Sequence, residues 1–179
     1  TNASGKSNVL EGLSFLERIS YSQYLSNTFE GSNTRNPLRG GLEKAAFQSG
    51  NDFTLTITLQ GEDQNTEYVY SVTIEPGIYC IYSEKLLYIE HNQKNPERTK
   101  ETTIFNNTID DDLYIILLKG GPQSHVMDAV SCMSTHLGMM AQGSQKDIIS
   151  VARVLRTIFV LDPLPSTMRD YSPLSDTLS

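Results

Sequence analysis

The chain has 179 residues, which is enough for one domain with a sizeable core. Its net charge of -7 at pH 7 gives no general attraction to the phosphate backbone of a nucleic acid. No apolar run reaches the roughly 18 residues that span a bilayer and no signal peptide is apparent, which excludes a membrane-spanning helix and predicts a soluble, cytoplasmic protein.

The first seven residues, TNASGKS, match the end of the phosphate-binding pattern G-x-x-x-x-G-K-[ST]. The first glycine of that pattern would fall immediately before Thr1, so we expect the chain to begin inside a phosphate loop. In such a loop the backbone amides of Asn2, Ala3, Ser4 and Gly5 would surround the phosphates of ATP. Lys6 would reach the β- and γ-phosphates, and the Ser7 hydroxyl would bind Mg²⁺.

A phosphate loop must be followed at once by a helix, and the next residues satisfy that requirement. Apolar residues recur at three- and four-residue steps between Lys6 and about Tyr24, which predicts an amphipathic helix. They are Val9, Leu10, Leu13, Leu16 and Ile19. A Gly-Lys-Ser turn that begins a helix by chance is the alternative.

The segment from Ser26 to Gly41 is rich in Ser, Asn, Thr and Gly, and its composition predicts a long surface loop. Residues 42–47 then predict a short helical turn. Strict alternation over Asp52 to Gln60 and again over Thr66 to Glu75 predicts two strands of an antiparallel hairpin. The residues predicted to share the buried face are Phe53, Leu55, Ile57, Leu59, Tyr68, Tyr70, Val72 and Ile74.

Two later apolar runs, Ile78 to Glu90 and Asp112 to Leu118, extend the predicted sheet, and the polar stretch from His91 to Lys100 is its connecting turn. From Ser124 onward the pattern predicts helix. A second helix is predicted over Gln145 to Thr157. Gly120, Gly121 and Pro122 precede them as a break.

The sequence gives little support to a metal site other than nucleotide-borne Mg²⁺. Cys80 and Cys132 are far apart and favour ordinary thiols over a disulfide or a metal site. No histidine (His91, His125, His136) has a Cys or carboxylate at ligand spacing. The acidic run Asp110, Asp111 and Asp112 predicts a solvated turn, since neighbouring residues of a strand point to opposite faces.

The string IFVLD at Ile158 to Asp162 has the form of the second nucleotide motif, in which an Asp at the end of an apolar strand orders the water shell of Mg²⁺. A catalytic Glu should then follow, and Pro163 stands there instead. A buried strand that leaves its sheet at a Pro-Leu-Pro turn is the favoured interpretation.

Two segments resemble known proteins. The string NASGKSNVLEGLSFL from Asn2 to Leu16 resembles the phosphate-loop segment of the RecF/RecN/SMC-type ATPases, an ABC-type group, and Asn8 after the serine is part of that resemblance. The stretch from Ile158 to Leu174 is similar to predicted AAA-like ATPases of the same branch. The family implies ATP and Mg²⁺ as cofactors. It also implies that the loop around Arg39 returns to the nucleotide, although a solvated loop arginine is equally compatible with the sequence.

The resemblance implies an α/β fold with α+β character, a P-loop NTPase of the ABC/SMC-head type with a phosphate-loop helix, an antiparallel β subdomain and C-terminal helices. Residues 1–179 would form one N-terminal lobe, with the loop and helix at 1–25, a surface loop at 26–50, the β-rich part at 51–119 and a helical segment with a terminal strand at 122–179. A hydrophobic fraction of 38% fits a lobe that packs on a partner lobe, and exposed loops explain it equally well.

The family's signature loop and Asp-Glu pair are missing from this sequence, so no catalytic residue is assigned. We expect the ATPase to need the C-terminal lobe of the same protein and a head-to-head homodimer, with the chain alone hydrolysing hardly any ATP. By resemblance the process is DNA repair, chromosome maintenance or phage defence, although the acidic charge does not support bound DNA. The alternative is a non-catalytic, nucleotide-gated interaction module. A small-molecule kinase uses the same loop, but no Arg-rich lid is apparent.

Overall fold

The computed structural model describes residues 4–21, 24–31, 37–38, 52–75, 79–110, 113–118, 124–127, 133–141, 143 and 145–158. Within these ranges the chain is α+β, with a six-stranded sheet and helices packed on it. This mixed α and β character was predicted, whereas the P-loop NTPase core stays a prediction. In the described part of the chain, no helix is both long and apolar enough to cross a membrane.

The sheet is an antiparallel meander in which every strand pairs with the next strand along the chain. Its strands are β1 (Phe53–Gln60), β2 (Thr66–Glu75), β3 (Cys80–Glu90), β4 (Lys100–Asp110), β5 (Leu113–Leu118) and β6 (Ser124–Met127). The hairpin of β1 and β2 has the predicted bounds to within a residue, and its burial alternates as predicted. Its other face carries exposed hydroxyl pairs, such as Thr54 with Thr73 at 2.8 Å.

Four α-helices are described, α1 (Ser4–Ile19), α2 (Leu25–Glu30), α3 (His136–Met140) and α4 (Lys146–Arg156), together with a short 3-10 helix at Pro96–Arg98. The buried side chains of all four join the inner face of the sheet in one hydrophobic core. The rings of Phe15 in α1, Phe29 in α2 and Phe53 in β1 meet there, with centroids 5.0 to 6.4 Å apart. The Tyr68 hydroxyl of β2 donates to Asp147 of α4 at 2.8 Å. The described part of the chain therefore has two layers, with the helices over one face of the sheet.

Two predictions of secondary structure are wrong, and one strand was not predicted. Leu25–Glu30 is a helix rather than loop, because Leu25 and Phe29 lie one turn apart and are both buried. The stretch 100–110 is the strand β4, of which the predicted turn covered only the first residue. Residues 124–127 pair with β5 as a strand, where a helix was expected, because sheet pairing overrides a short local pattern.

The second predicted helix is confirmed, since α4 lies within the predicted bounds and its flanking residues Gln145 and Thr157 are its caps. Cys80 is disulfide-bonded, which corrects the expectation of an ordinary thiol; Cys132, the other cysteine of the sequence, lies outside the described residues. The predicted turn at 42–47 and the segment 159–174 also lie outside them.

Candidate functional site

The predicted phosphate-binding residues occupy the beginning of α1. Ser4, Gly5, Lys6, Ser7 and Asn8 form the first turns of this 16-residue helix. Their side chains lie outside the described part of the chain, as do Asn2, Ala3 and Arg39 entirely. The structure thus brings five of the eight predicted contacts to one helix end, at the level of the backbone, and leaves their side-chain roles as predictions.

The charge distribution along α1 is unusual at its first turn. Helices favour acidic residues there and basic residues in the last turn, because the aligned peptide dipoles leave the N-terminus positive. The last turn follows the rule with Arg18, but the first turn carries no acidic residue and contains Lys6. A lysine at the positive end costs a few tenths of a kcal/mol, roughly, unless an anion is bound there. The helix end is therefore suited to an anionic ligand.

The two ends of α1 are buried to very different extents. Val9 and Leu10 are 63% and 47% exposed, although the helical pattern predicted them on the same apolar face as Leu16 and Ile19. Leu16 and Ile19, together with Phe15, are buried in the core. The helix therefore enters the core through its second half, and its first half projects from it.

Hydrogen bonds fasten the C-terminal end of α1 to three other elements. The Thr135 hydroxyl donates to the carbonyl oxygen of Ile19 at 2.7 Å, and Arg156 of α4 donates through Nε to that of Ser20 at 3.1 Å. Arg18 of α1 in turn donates through Nη1 to the carbonyl oxygen of Thr28 at 2.9 Å. The last carbonyls of a helix lack partners within the helix, and Thr135 and Arg156 supply them here. The position of α1 on the sheet is thereby fixed at this end.

Thr135 is itself held through α3, which is tied to the sheet by a buried polar cluster. The Glu84 carboxylate of β3 is fully buried and accepts bonds from the backbone amides of His136 and Leu137, at 2.6 and 2.9 Å. The Tyr70 hydroxyl of β2 donates to it at 2.8 Å, and Asn107 of β4 also bonds to it. Three neighbouring strands and one helix therefore converge on a single carboxylate.

Burial shifts the pKa of two members of this cluster in opposite senses. Desolvation raises the pKa of Glu84 from 4.5 to about 7, against the hydrogen bonds from Leu137, His136, Tyr70 and Asn107, which lower it. Desolvation lowers the pKa of His136 from 6.5 to about 4. The His136 ring packs edge-on against Phe105 at 5.0 Å, and neither ring nitrogen has a hydrogen-bond partner among the described residues. His136 is therefore neutral at pH 7, and Glu84 titrates near it.

Neither Glu84 nor His136 was predicted from the sequence to be a functional residue. The available signal was the alternation in β3, where Glu84 falls on the same side of the strand as the buried Leu86. A carboxylate at an inward position of a strand has to find donors in the core. The donors themselves, at the start of α3, come from a part of the sequence that periodicity does not connect to β3.

The remaining predicted chemistry is only partly within the described residues. Asp110 ends β4, and Asp111 and Asp112 lie outside. In the described ranges no group of three or more His, Cys, Asp or Glu side chains could hold a metal. Of the second nucleotide motif, only Ile158 is described, and it packs partly buried against the core. A site for nucleotide-borne Mg²⁺ thus depends on the predicted Ser7 hydroxyl.

No protein-family model, no curated protein and no solved structure matches this chain. The resemblance to the RecF/RecN/SMC-type ATPases therefore stays a prediction based on residues 2–16 and 158–174.

Proposed function

We propose that the chain is the ATP-binding N-terminal lobe of a RecF/SMC-like ATPase head, with MgATP bound at the start of α1. One observation carries the proposal: Gly5, Lys6 and Ser7 occupy the first turn of a long helix that has no acidic residue in that turn. Backbone amides at such an end point toward a bound anion, and the helix dipole adds to the attraction. The fastened C-terminal end keeps this arrangement in place.

In this proposal each predicted residue has a defined task. The amides of residues 2–5 surround the phosphates, Lys6 supplies a point charge, and Ser7 binds Mg²⁺, which keeps most of its waters. Asn8 and Arg39 add contacts to the nucleotide. The C-terminal lobe of the same protein and a second head supply the carboxylate that activates water and the contact to the γ-phosphate. Closure of two heads on ATP then serves DNA repair, chromosome maintenance or phage defence.

We also propose a cytoplasmic location, in keeping with that family. The disulfide at Cys80 opposes it, since disulfides are rare in reducing compartments. Cys80 is buried, so thiols have to be alkylated while the cells are lysed in denaturant, and mass spectrometry then distinguishes the two. An alkylated Cys80 agrees with the cytoplasm, and an unalkylated one contradicts it.

The test of nucleotide binding is Lys6→Ala in the protein that carries both lobes. We expect the affinity for MgATP to fall at least tenfold, about 1.4 kcal/mol, because the charge on the phosphates is lost. Lys85→Ala is the matched control, since Lys85 is an exposed lysine on β3 and its loss changes the net charge equally. Equal affinities for wild type and Lys6→Ala would overturn the assignment.

A second candidate function is a nucleotide-gated interaction module that does not turn over ATP. The exposure of Val9 and Leu10 beside the predicted loop favours it, because apolar side chains next to a ligand site are suited to association. Light scattering and phosphate release, measured with and without MgATP on the protein that carries both lobes, separate the two functions. Association with release supports the ATPase, and association without release supports the module.

A further inference from the structure

The connection between β3 and β4 forms a concave site that shares no residue with the start of α1. It is an open pocket of about 440 Å³, within the range of ligand sites in proteins. Three basic side chains line it, Lys94, Arg98 and Lys100. The carboxamides of Asn65, Asn92 and Gln93 line it as well, with Glu90 and His91. We call this the basic pocket.

The lining of the basic pocket has three lysine and arginine side chains but only one carboxylate, that of Glu90. The stretch around it, residues 90–101, has three cations and three acidic residues. Within the described ranges, the ion pairs are His91 with Glu67 at 3.0 Å and Lys146 with Glu62 at 3.1 Å. The three cations of the pocket are in neither of them, although Glu90 lies opposite Lys100 in the register of β3 and β4, so the lining keeps an excess of positive charge. Such a group raises the local concentration of anions.

The backbone that carries these cations is fixed by hydrogen bonds. Asn92 accepts from the amides of Lys94 and Asn95 through Oδ1, at 3.0 and 3.1 Å. The Arg98 amide donates to the carbonyl oxygen of Asn95 at 2.9 Å. The Gln93 side chain bonds to that of Asn65, and the His91 amide to the Asn65 carbonyl oxygen at 2.7 Å. The bonds to Asn65 thus join the β1–β2 turn to the β3–β4 connection. Because the site is already ordered, a ligand that binds here pays less conformational entropy.

We propose that the basic pocket binds the phosphate groups of an anionic ligand. An arginine fork matches phosphate oxygens bidentately, and two lysines add the charge that a multiply charged group needs. The volume of the pocket is also larger than that of a single carboxylate group. This inference does not depend on the proposed nucleotide site at α1, because it uses different residues.

The experiment uses the full chain with Lys6→Ala in every variant, so that binding at α1 does not contribute. One variant adds Lys94→Gln and Arg98→Gln. The control adds Lys85→Gln and Arg153→Gln, which remove two exposed charges from β3 and α4. The probes are inorganic pyrophosphate, followed by calorimetry, and a fluorescent single-stranded oligonucleotide, followed by anisotropy.

We expect the pocket variant to bind at least one probe about tenfold more weakly than the control does. For the oligonucleotide, the slope of log affinity against log salt should become smaller in magnitude by about 1.4, because each of the two lost phosphate contacts accounts for roughly 0.7. Binding of pyrophosphate identifies a small phosphate ligand, and binding of the oligonucleotide alone identifies an extended one; both support the proposal. No binding of either probe, or equal losses in the pocket variant and the control, would overturn it.

Discussion

The C-terminal end of α1 is buried and bonded to α2, α3 and α4, whereas its N-terminal end carries the predicted phosphate loop and exposes Val9 and Leu10. The helix is therefore anchored in the core at its C-terminal end and exposed at its N-terminal end. A helix that is to offer backbone amides to a ligand needs rigid support, but that support cannot occupy the ligand's place. Stability and ligand binding should therefore respond to different residues of α1 and its neighbours.

The largest expected effect is on the fastened end, through Glu84. Glu84→Ala leaves the amides of His136 and Leu137 and the Tyr70 hydroxyl buried without their acceptor. We expect a loss of at least about 3 kcal/mol in the free energy of unfolding, measured in urea. Glu84→Gln keeps one acceptor oxygen and should lose less. A loss below about 1 kcal/mol for Glu84→Ala would show that the cluster does not hold α3.

Two groups of the buried cluster, Glu84 and His136, should also make the free energy of unfolding depend on pH. Because the pKa of Glu84 is raised from 4.5 to about 7, its contribution to stability is present below pH 4.5 and is lost as the pH rises to 7. Because the pKa of His136 is lowered from 6.5 to about 4, its contribution is present above pH 6.5 and is lost as the pH falls to 4. The two slopes oppose each other between pH 4.5 and 6.5.

We therefore expect a nearly flat stability profile for the wild type in that interval. His136→Phe should make stability fall with rising pH, and Glu84→Gln should make it rise, each by at most about 1.4 kcal/mol per pH unit. Urea titrations at several pH values measure both slopes. Parallel profiles for the two variants would contradict the assigned shifts.

A smaller effect is expected at Arg156, which bonds to the Ser20 carbonyl oxygen and stacks over the Tyr21 ring at 4.9 Å. Arg156→Ala should cost about 1 to 2 kcal/mol of unfolding free energy, because both contacts are lost. Arg153→Ala removes an exposed arginine from the same helix and should change stability by less than about 0.5 kcal/mol. Equal effects of the two changes would mean that α4 does not fasten α1.

The smallest effect concerns Gly12, between the two ends of α1. A methyl group there would lie 3.7 Å from Cδ2 of Leu55, an ordinary contact. Gly12→Ala should therefore stabilise the protein by up to about 1 kcal/mol through helix propensity. At Gly61 the same change would bring Cβ to the Thr66 backbone oxygen at 3.0 Å and should destabilise the protein. Thermal unfolding of both variants tests the pair, and a destabilised Gly12→Ala would contradict the packing of α1 over β1.

The sequence predicted elements whose pattern is regular. Burial alternates throughout β1 and from Tyr70 onward in β2, and α4 has apolar residues at helical spacing between clear ends. By contrast, β4 was missed because its pairing with β3 shifts between Leu86 and Leu87, which lets Ile104 and Phe105 both be buried. Adjacent buried residues break the alternation by which a strand is recognised.

The start of α1 and the cluster around Glu84 differ in how far the sequence predicts them. The start of α1 follows from a local motif, since Gly5, Lys6 and Ser7 are consecutive. The cluster around Glu84 joins residues from β2, β3, β4 and α3, and such contacts depend on strand register and on the tertiary position of a five-residue helix. Neither is encoded in a short stretch of sequence.

We infer that the two ends of α1 have separate tasks, ligand binding at the N-terminal end and attachment to the core at the C-terminal end. The most direct measurement compares MgATP affinity and the midpoint of thermal unfolding for wild type, Lys6→Ala and Arg156→Ala. We predict that Lys6→Ala loses at least about tenfold in affinity with an unchanged midpoint, and that Arg156→Ala lowers the midpoint while the folded protein keeps its affinity. An unchanged affinity in Lys6→Ala, or a loss of both affinity and midpoint in both variants, would contradict this separation of tasks.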